Sequence, residues 1–424
     1  MGIYSYRIDF YAISASLSFN IESGNRELLA EFRDKLLLIF STVDYESETI
    51  TVQTLQTNSE AIILKIEEIK REYIDRFSPS INQISAFFRK LGKNEHFYFL
   101  PNISQKLDQK EKYSLLNHLK SLHENTDSLR VQSQFDELYE DFFDKYSIFS
   151  YGRERVTIGE KDKLKRICRF CNQSIPQTTF KRKAHAISEA LGNKNAILFE
   201  ECDVCNDQFS RTIEPDFVTY MSLLRTFFDI KGKGGSKEFE GRNFRVHSDG
   251  EINLILKSRH ENGVDEDLPH NIRLDVGMIS LQNIYKCLCK FCLSVIDSDL
   301  LPHFKQTIDW INGDMPVQNL PKIAEMISYV GFNTHPRLNL YIRKVGKTDI
   351  PFLVGEFHFT CKIMVFIVPF SNMDDNEFLT KDGYNTFWRS FPQYYKTKEW
   401  IFNDFSTLGQ KEYAININIK RNPN

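Results

Sequence analysis

The sequence lacks any long apolar run. Its longest apolar stretches, such as 61–64 and 363–369, fall far short of the roughly 18–20 residues that span a bilayer. No transmembrane helix is therefore expected, and no membrane partner. The first ten residues do not combine a basic segment with a following apolar segment, so secretion is not expected either. These absences predict a cytoplasmic protein.

Net charge is also small. The 424 residues include 54 Lys and Arg against 57 Asp and Glu, which gives a net charge of −3. This balance argues against a surface coated throughout with basic residues for nucleic acid. Internal repeats and low-complexity segments are absent as well, so a repeat array is not expected. A hydrophobic content of 41% excludes a mostly disordered chain.

Three regions of the chain differ in pattern. Residues 1–155 are predicted to be mainly helical with a few strands, residues 156–240 to form a central module, and residues 241–424 to be mixed α/β. The fold class predicted is therefore α+β, with several domains. We expect the two flanking regions to recognise a target, to regulate the central module or to mediate oligomerisation, through a second copy of the chain or a regulatory protein. For residues 1–155, sensing is a further expected role.

Periodicity predicts individual elements within these regions. Strand patterns cover residues 4–13, 48–55, 338–343, 352–359 and 362–368, and a hairpin is predicted from 244–246 and 252–257 around an Asp-Gly turn. Helical patterns cover residues 27–40, 59–76, 81–91, 109–124, 134–146 and 280–295. The last of these helices carries Cys287, Cys289 and Cys292, which are predicted to pack in a core.

Cysteine spacing is the strongest signal in the chain. Of eight cysteines, four form two CxxC pairs, Cys168 with Cys171 and Cys202 with Cys205, separated by residues 172–201. In a chain expected to be cytoplasmic, paired cysteines indicate metal ligands before disulfides. Thiolates in a tetrahedral arrangement suit Zn²⁺, and four of them leave no open position. The site is therefore predicted to be a structural zinc site.

Charge is strongly polarised around these cysteines. Residues 161–183 have a local net charge of +7, whereas residues 196–216 are acidic. The basic residues expected to contact nucleic-acid phosphates are Lys165, Arg166, Arg169, Lys181, Arg182 and Lys183. Alternatively, part of this positive charge offsets the net charge of about −2 that four thiolates leave on one zinc ion.

The segment between the cysteine pairs and the one after it carry two motifs. The first reads Ala184-His185-Ala-Ile-Ser-Glu189-Ala-Leu-Gly-Asn193-Lys, and the second reads Glu201-Cys-Asp-Val-Cys-Asn206-Asp-Gln-Phe209. Over about residues 168–217 the sequence resembles the HNH endonucleases of the ββα-metal group, whose members pair CxxC knuckles with AHxIPExLGNK and ECDxCNxxF segments. The resemblance implies a β-hairpin and a helix that hold one divalent cation, Mg²⁺ or Mn²⁺, and hydrolyse the phosphodiester bonds of DNA.

The resemblance also implies roles for single residues. His185 is expected to be the general base that activates water, a task that suits an imidazole because it titrates near neutral pH. Asn193 is expected to steady the hairpin loop and to orient His185, with Asn195 as a substitute. Asn206 is expected to offer its amide oxygen to the cation.

Two positions depart from the family pattern. Ala184 stands where many members carry a cation-binding residue, and Ser188 stands at the usual proline. The cation therefore needs another oxygen ligand. Glu214 is the first candidate because i+8 from Asn206 falls on roughly the same helical face, although Pro215 disfavours a helical conformation at Glu214. Glu189 is the alternative.

Three hypotheses for the function remain open. The first is an active DNA endonuclease. The second is a non-catalytic zinc module that binds nucleic acid or protein, which the alanine at position 184 favours. The third is a nuclease that acts on RNA, since the phosphate chemistry is shared. By analogy with larger proteins that embed an HNH module, the expected role is bacterial antiviral defence or restriction.

Overall fold

The structure is a computed structural model, and it describes most of the chain. The described residues are 3–44, 49–77, 80–101, 107–152, 155–232, 238–248, 251–257, 271–328, 332–344, 346, 349–375 and 378–418. They form two compact units, residues 1–143 and residues 144–424. The predicted α+β class is confirmed. The division into three domains at about residues 155 and 240 stays a prediction.

The first unit combines helices with a small sheet. Its strands are β1 (Tyr4–Ala12), β2 (Ser16–Ser23), β3 (Ser41–Asp44), β4 (Thr49–Val52), β5 (Leu55–Thr57) and β6 (His96–Pro101). Its helices are α1 (Arg26–Ile39), α2 (Glu60–Phe77), α3 (Ser80–Lys90), α4 (Gln109–Glu124) and α5 (Ser128–Lys145), the last of which ends in the second unit. Strands β2, β1, β6 and β5 form an antiparallel sheet in that order.

An aromatic cluster fills the core of this unit. The alternation in β1 buries Ile8 and Phe10 on the same face, which is the period of two that predicted the strand. Phe10 contacts Phe40, Phe88 and other rings, with Phe10 and Phe88 centroids 5.6 Å apart in an edge-to-face arrangement. Rings from α1, α3 and β6 therefore hold the helices against the sheet.

Capping residues account for several helix boundaries. Helix α4 has the predicted bounds, and a capping box closes its start, with the Asp108 side chain accepting from the Glu111 backbone N–H. The helix predicted over 134–146 begins earlier, at Ser128. The reason is Asp127, whose carboxylate accepts from the Leu129 N–H at 3.0 Å and so starts the helix there.

The second unit has more strands than the first. These are β7 (Tyr146–Tyr151), β8 (Val156–Ile158), β9 (Ala184–His185), β10 (Ala196–Leu198), β11 (Glu238–Glu240), β12 (Phe244–Ser248), β13 (Ile252–Leu256), β14 (Asn271–Ser280), β15 (Ile323–Ile327), β16 (Asn333–Arg343), β17 (Leu353–Thr360), β18 (Lys362–Ile367), β19 (Ile401–Asn403) and β20 (Gln410–Asn418). The predicted hairpin is confirmed as β12 and β13, while its turn at 249–250 lies outside the described residues.

The helices of this unit include one long, largely apolar helix, against which two others, the second and the fifth in chain order, pack. They are α6 (Asp203–Arg211), α7 (Glu214–Tyr220), α8 (Ser222–Phe227), α9 (Leu281–Val295), α10 (Lys305–Asn312), α11 (Lys381–Arg389) and α12 (Pro392–Tyr395). Helix α9 is buried over most of its length, and the predicted burial of Cys287, Cys289 and Cys292 is confirmed. Among the described residues, no helix is both long and apolar enough to cross a membrane.

A six-stranded sheet supports this helix. The strand order is β19-β15-β18-β17-β16-β7. Strand β7, which directly follows α5 in the chain, forms one edge of the sheet. The ring of Phe217 in α7 lies 5.6 Å from Phe291 in α9 and 5.5 Å from Phe357 in β17. The same hydrophobic core contains Cys168, Cys202 and Cys205. The paired cysteines therefore belong to the core that the sheet and α9 build.

Candidate active site

A small sheet followed by a helix forms the framework of the site. Strands β9 and β10 pair antiparallel, with His185 opposite Ile197, and β8 pairs parallel to the other edge of β10. Helix α6 follows directly, capped by Cys202, whose sulfur accepts from the Cys205 N–H at 3.5 Å. This is the two-strand and one-helix arrangement that the sequence motifs predicted.

Asn193 closes the loop between the two strands. Its Nδ2 donates to the Ile187 carbonyl at 2.7 Å and to the Ala196 carbonyl at 3.3 Å. Its Oδ1 accepts from the Asn195 and Ala196 N–H groups, both at 3.1 Å. The buried amide thus uses its donor and acceptor sides to fix the loop. Its side chain is buried, and all four of these contacts lie within the loop that follows the His185 strand.

The four paired cysteines meet at one point. One ligand atom from each of Cys168, Cys171, Cys202 and Cys205 lies within 4.8 Å of the other three. The Cys171 and Cys202 sulfurs are 3.6 Å apart, near the roughly 3.8 Å that tetrahedral Zn–S bonds of about 2.3 Å require. The Cys202 N–H donates to the Cys168 sulfur at 3.4 Å, which favours a thiolate. These residues fit a structural zinc ion.

An open cavity of about 1030 Å³ lies beside the hairpin. Its lining includes His185, Glu189, Asn206, Glu214, Arg182 and Lys183. The structure thus brings together the predicted base, the three predicted oxygen ligands Asn206, Glu214 and Glu189, and two of the residues predicted to contact phosphates. Within the described ranges, the cysteine cluster is the one group of three or more Cys, His, Asp or Glu side chains arranged to bind a metal.

The His185 side chain is mostly buried at the cavity wall. Its Nε2 lies 3.8 Å from Glu189 Oε2, and 12% of the side chain is exposed. Its Nδ1 is buried with no hydrogen-bond partner among the described residues, which leaves Nε2 as the nitrogen on the cavity side. Burial lowers the pKa of His185 below its ordinary value, and Glu189 partly opposes this. The imidazole is therefore neutral at neutral pH and able to accept a proton.

Asn206 and Glu214 reach the cavity from two different helices. The expectation of one continuous helical face is wrong, because α6 ends at Arg211 and α7 begins at Glu214. Pro215 explains the break, since proline lacks an N–H and is favoured in the first turn of a new helix. Both side chains nevertheless line the same cavity, as an oxygen-ligand role requires.

Lys290 is a site residue that sequence reasoning missed. It lies in α9, is 1% exposed, and places its Nζ 3.0 Å from Glu201 Oε2 and 3.4 Å from Glu214 Oε1. The same ammonium donates to the His185 carbonyl at 3.3 Å. The signal in the sequence was a single lysine within the otherwise apolar run Leu288–Leu293. A lysine that is fully buried in such a run needs an acidic partner.

The charges around Lys290 depend on one another. Burial raises the pKa of Glu201 to about 7, and the Lys290 ammonium opposes that rise. Burial also disfavours the charged lysine, but Glu201 and Glu214 more than compensate and the pKa of Lys290 is raised. Lys290 therefore stays protonated, and its charge offsets that of the buried Glu201 carboxylate next to the His185 strand.

Replacing Lys290 by methionine should destabilise the second unit by about 3–5 kcal/mol, because Glu201 would be left buried without its cation. The free energy of unfolding, measured by urea denaturation, tests this. The matched control is the double variant Lys290→Met/Glu201→Gln, which removes both buried charges and should recover most of the loss. A single variant as stable as the wild type would contradict the ion-pair account.

The basic residues around the first cysteine pair divide into two groups. Lys165, Lys181, Arg182 and Lys183 are exposed, as phosphate contact requires. Arg169 is buried, and its guanidinium binds Glu200 at 2.9 Å and the carbonyls of Leu293 and Ile296 at the end of α9. The expected phosphate contact of Arg169 is therefore wrong in this structure, because protein acceptors already occupy its donors.

Arg166 is buried in a similar way. Its guanidinium donates to the carbonyls of Glu160 at 2.9 Å and Lys161 at 2.8 Å and lies 4.5 Å from the Phe199 ring centroid. These contacts hold the loop before the first knuckle. The side chains of Arg166 and Arg169 therefore stabilise the fold in this structure. The candidate phosphate surface consists of the four exposed residues Lys165, Lys181, Arg182 and Lys183.

One family model matches the segment that contains this site. Residues 168–222 match the family model of the HNH endonucleases. No curated protein and no solved structure was found to be similar to the chain. The matched segment contains both cysteine pairs, His185, Asn193 and Asn206. Residues 168–222 thus carry the HNH endonuclease signature that the motifs predicted, with a four-cysteine cluster suited to the zinc of a knuckle module.

Proposed function

We propose that the protein is a metal-dependent HNH endonuclease that hydrolyses phosphodiester bonds in DNA. The observation that carries this proposal is the cavity that His185, Asn206 and Glu214 share, with Arg182 and Lys183 at its edge. A base, oxygen ligands and exposed cations facing one open cavity are what the hydrolysis of a polyanion requires. The family match over residues 168–222 supports the reaction class.

His185 acts as the general base in this proposal. Its neutral imidazole accepts the proton of the attacking water through Nε2, while Glu189, 3.8 Å away, stabilises the imidazolium that results. Asn193 holds the hairpin and so fixes the position of this ring. The Lys290 ammonium donates a hydrogen bond to the His185 carbonyl and so contacts the backbone of the same strand.

Oxygen atoms that line the cavity would hold a divalent cation, Mg²⁺ or Mn²⁺. Asn206 would supply an amide oxygen, and Glu214 or Glu189 would supply a carboxylate oxygen. One or two protein ligands are enough for Mg²⁺, because this ion usually keeps several of its bound waters. When bound, the cation neutralises charge on the phosphate and on the leaving oxygen.

The exposed cations position the nucleic acid. Lys181 and Lys183 lie on the segment that leads into the His185 strand, and the backbone N–H groups of Lys181 and Arg182 donate to Asp203 at 3.0 and 2.8 Å. The segment is thereby anchored to the start of α6, and its side chains stay exposed. Such contacts fix the duplex without reading its sequence.

Removing Lys181 and Lys183 together should weaken DNA binding and reduce its salt dependence. Each lost phosphate contact lowers the slope of log K against log salt by about 0.9. Anisotropy of a labelled duplex at several salt concentrations measures this, on a His185→Ala background so that the DNA stays intact. Lys398→Ala, another exposed lysine, is the control and should leave the slope unchanged. An unchanged slope in the double variant would exclude these lysines from the interface.

A cleavage assay with two substrates tests the proposed activity. Supercoiled plasmid and labelled single-stranded RNA are incubated in parallel with zinc-loaded protein and either Mg²⁺ or Mn²⁺. Cleavage of the plasmid supports the proposal, and cleavage of RNA alone would replace DNA by RNA as the substrate. Roles in antiviral defence, regulation and oligomerisation, and a cytoplasmic location, stay predictions.

The second candidate function is a non-catalytic zinc module that binds DNA. Two observations favour it: Ala184 offers no cation ligand, and the Glu214 carboxylate is already paired with Lys290 at 3.4 Å. Binding of the duplex without cleavage at any concentration of Mg²⁺ or Mn²⁺ would support this candidate over the endonuclease.

A further inference from the structure

A second cavity lies in residues 319–406, outside the HNH match. It has a volume of about 570 Å³, within the range of small-molecule binding sites, and its lining shares no residue with the nuclease cavity. Aromatic side chains, two lysines, two asparagines and one aspartate are among the residues that line it. The cavity opens beside the first turn of α11 and the short strand β19.

Aromatic rings form one wall of this cavity. Tyr384 and Trp388 are each 8% exposed, whereas Phe402 is 39% exposed. The Phe402 ring meets the Trp388 ring edge to face at 5.0 Å and the Tyr384 ring at 5.8 Å. The Tyr384 hydroxyl donates to the Lys322 carbonyl at 3.1 Å, which ties this wall to the segment before β15. The wall is therefore well packed, and it presents the partly exposed Phe402 ring, on which a planar group can stack.

Positive charge lies at the rim of the same cavity. Lys322 and Lys381 are exposed, and neither ammonium has a carboxylate partner among the described residues. The single acid of the lining, Asp404, accepts from the Ser406 N–H at 2.8 Å. Amide side chains of Asn319 and Asn385 complete the polar rim. An aromatic wall beside two unpaired cations suits a ligand that is planar at one end and anionic at the other.

We propose that this cavity binds a nucleoside monophosphate unit. The base stacks against Phe402, the phosphate lies between Lys322 and Lys381, and the two asparagines hydrogen-bond to the polar edges of the base or sugar. The unit is either a free nucleotide or the phosphorylated end of a nucleic-acid strand, because both present the same chemistry. This proposal does not depend on cleavage at His185.

Calorimetric titration of the full chain tests the site. The probes are AMP, GMP, CMP and UMP, with adenosine and ribose 5-phosphate as ligands that each lack half of the unit. At least one nucleotide should bind with Kd below about 1 mM, and both half-ligands should bind at least about tenfold more weakly. A 5′-phosphorylated tetranucleotide, tested with His185→Ala protein, separates the two sources. Tighter binding of the tetranucleotide assigns the site to strand ends, and tighter binding of the mononucleotide assigns it to free nucleotides.

Two variants and one control locate the binding. Lys322→Ala/Lys381→Ala and, separately, Phe402→Ala should each weaken the best probe about tenfold or more. Lys305→Ala, an exposed lysine of α10, should leave binding unchanged, and thermal unfolding checks that every variant is folded. The proposal is overturned if neither a nucleotide nor the tetranucleotide binds below about 1 mM, or if the double lysine variant binds as tightly as the wild type.

Discussion

Zinc-loaded protein carrying His185→Ala should cleave DNA about 10²- to 10⁴-fold more slowly than the wild type. Among the described residues that line the cavity, His185 is the one histidine, and strand pairing and the Asn193 loop hold its backbone. Truncation to alanine leaves the His185 backbone contact with Lys290 intact, since that contact uses the carbonyl. The loss should therefore appear in the rate and not in folding.

Three measurements separate a catalytic defect from a structural one. The His185→Ala protein should still bind zinc and should bind the duplex with the affinity of the wild type. Its free energy of unfolding should differ from that of the wild type by no more than about 1 kcal/mol. His335→Ala, an exposed histidine outside the cavity, is the matched control and should cleave at the wild-type rate. Equal cleavage by wild type and His185→Ala would remove His185 as the general base.

Replacing Cys202 by serine should abolish zinc binding and unfold the module. Apparent binding free energies of about 10–16 kcal/mol are typical of structural zinc, which equals or exceeds the total stability of most domains. Cys202 is fully buried and also caps α6, so its loss removes a ligand and a helix start together. Because the cysteines share one hydrophobic core with α9 and the six-stranded sheet, unfolding should spread through the second unit.

Metal analysis and circular dichroism test this prediction. The wild type should contain one zinc per chain, and both the zinc and the cooperative thermal transition of the second unit should be lost in Cys202→Ser. Cys361→Ser is the control, because Cys361 is buried but lies outside the metal cluster. A zinc-free wild type that is folded would contradict the whole framework.

Local patterns predicted many elements because their causes are local. The alternation of side chains predicted β1. The capping box at the start of α4 is formed by two residues three positions apart, Asp108 and Glu111, and that helix has its predicted bounds. The resemblance to the HNH family implied that Asn193 steadies the hairpin loop, and this amide side chain does hydrogen-bond to backbone groups of that loop. These features depend on residues close to one another in the chain.

Features that depend on distant residues could not be predicted in this way. Strand β14 pairs with β20, so its partner lies far along the chain. Arg169 has the charge of a phosphate-binding residue, but its acceptors are the carbonyls that end α9. Lys290 acquires its role only when α9 packs beneath the hairpin. In each case the deciding partner is fixed by tertiary packing and not by spacing.

The most direct test of the proposed activity is a cation titration. Zinc-loaded wild type is dialysed free of other divalent cations, and the initial rate of supercoiled-plasmid cleavage is measured as Mn²⁺ is added. The proposal predicts no cleavage without added Mn²⁺ and a rate that rises to saturation as the site that includes Asn206 fills. A rate independent of added Mn²⁺, or no cleavage at any Mn²⁺ concentration, would contradict a metal-dependent endonuclease.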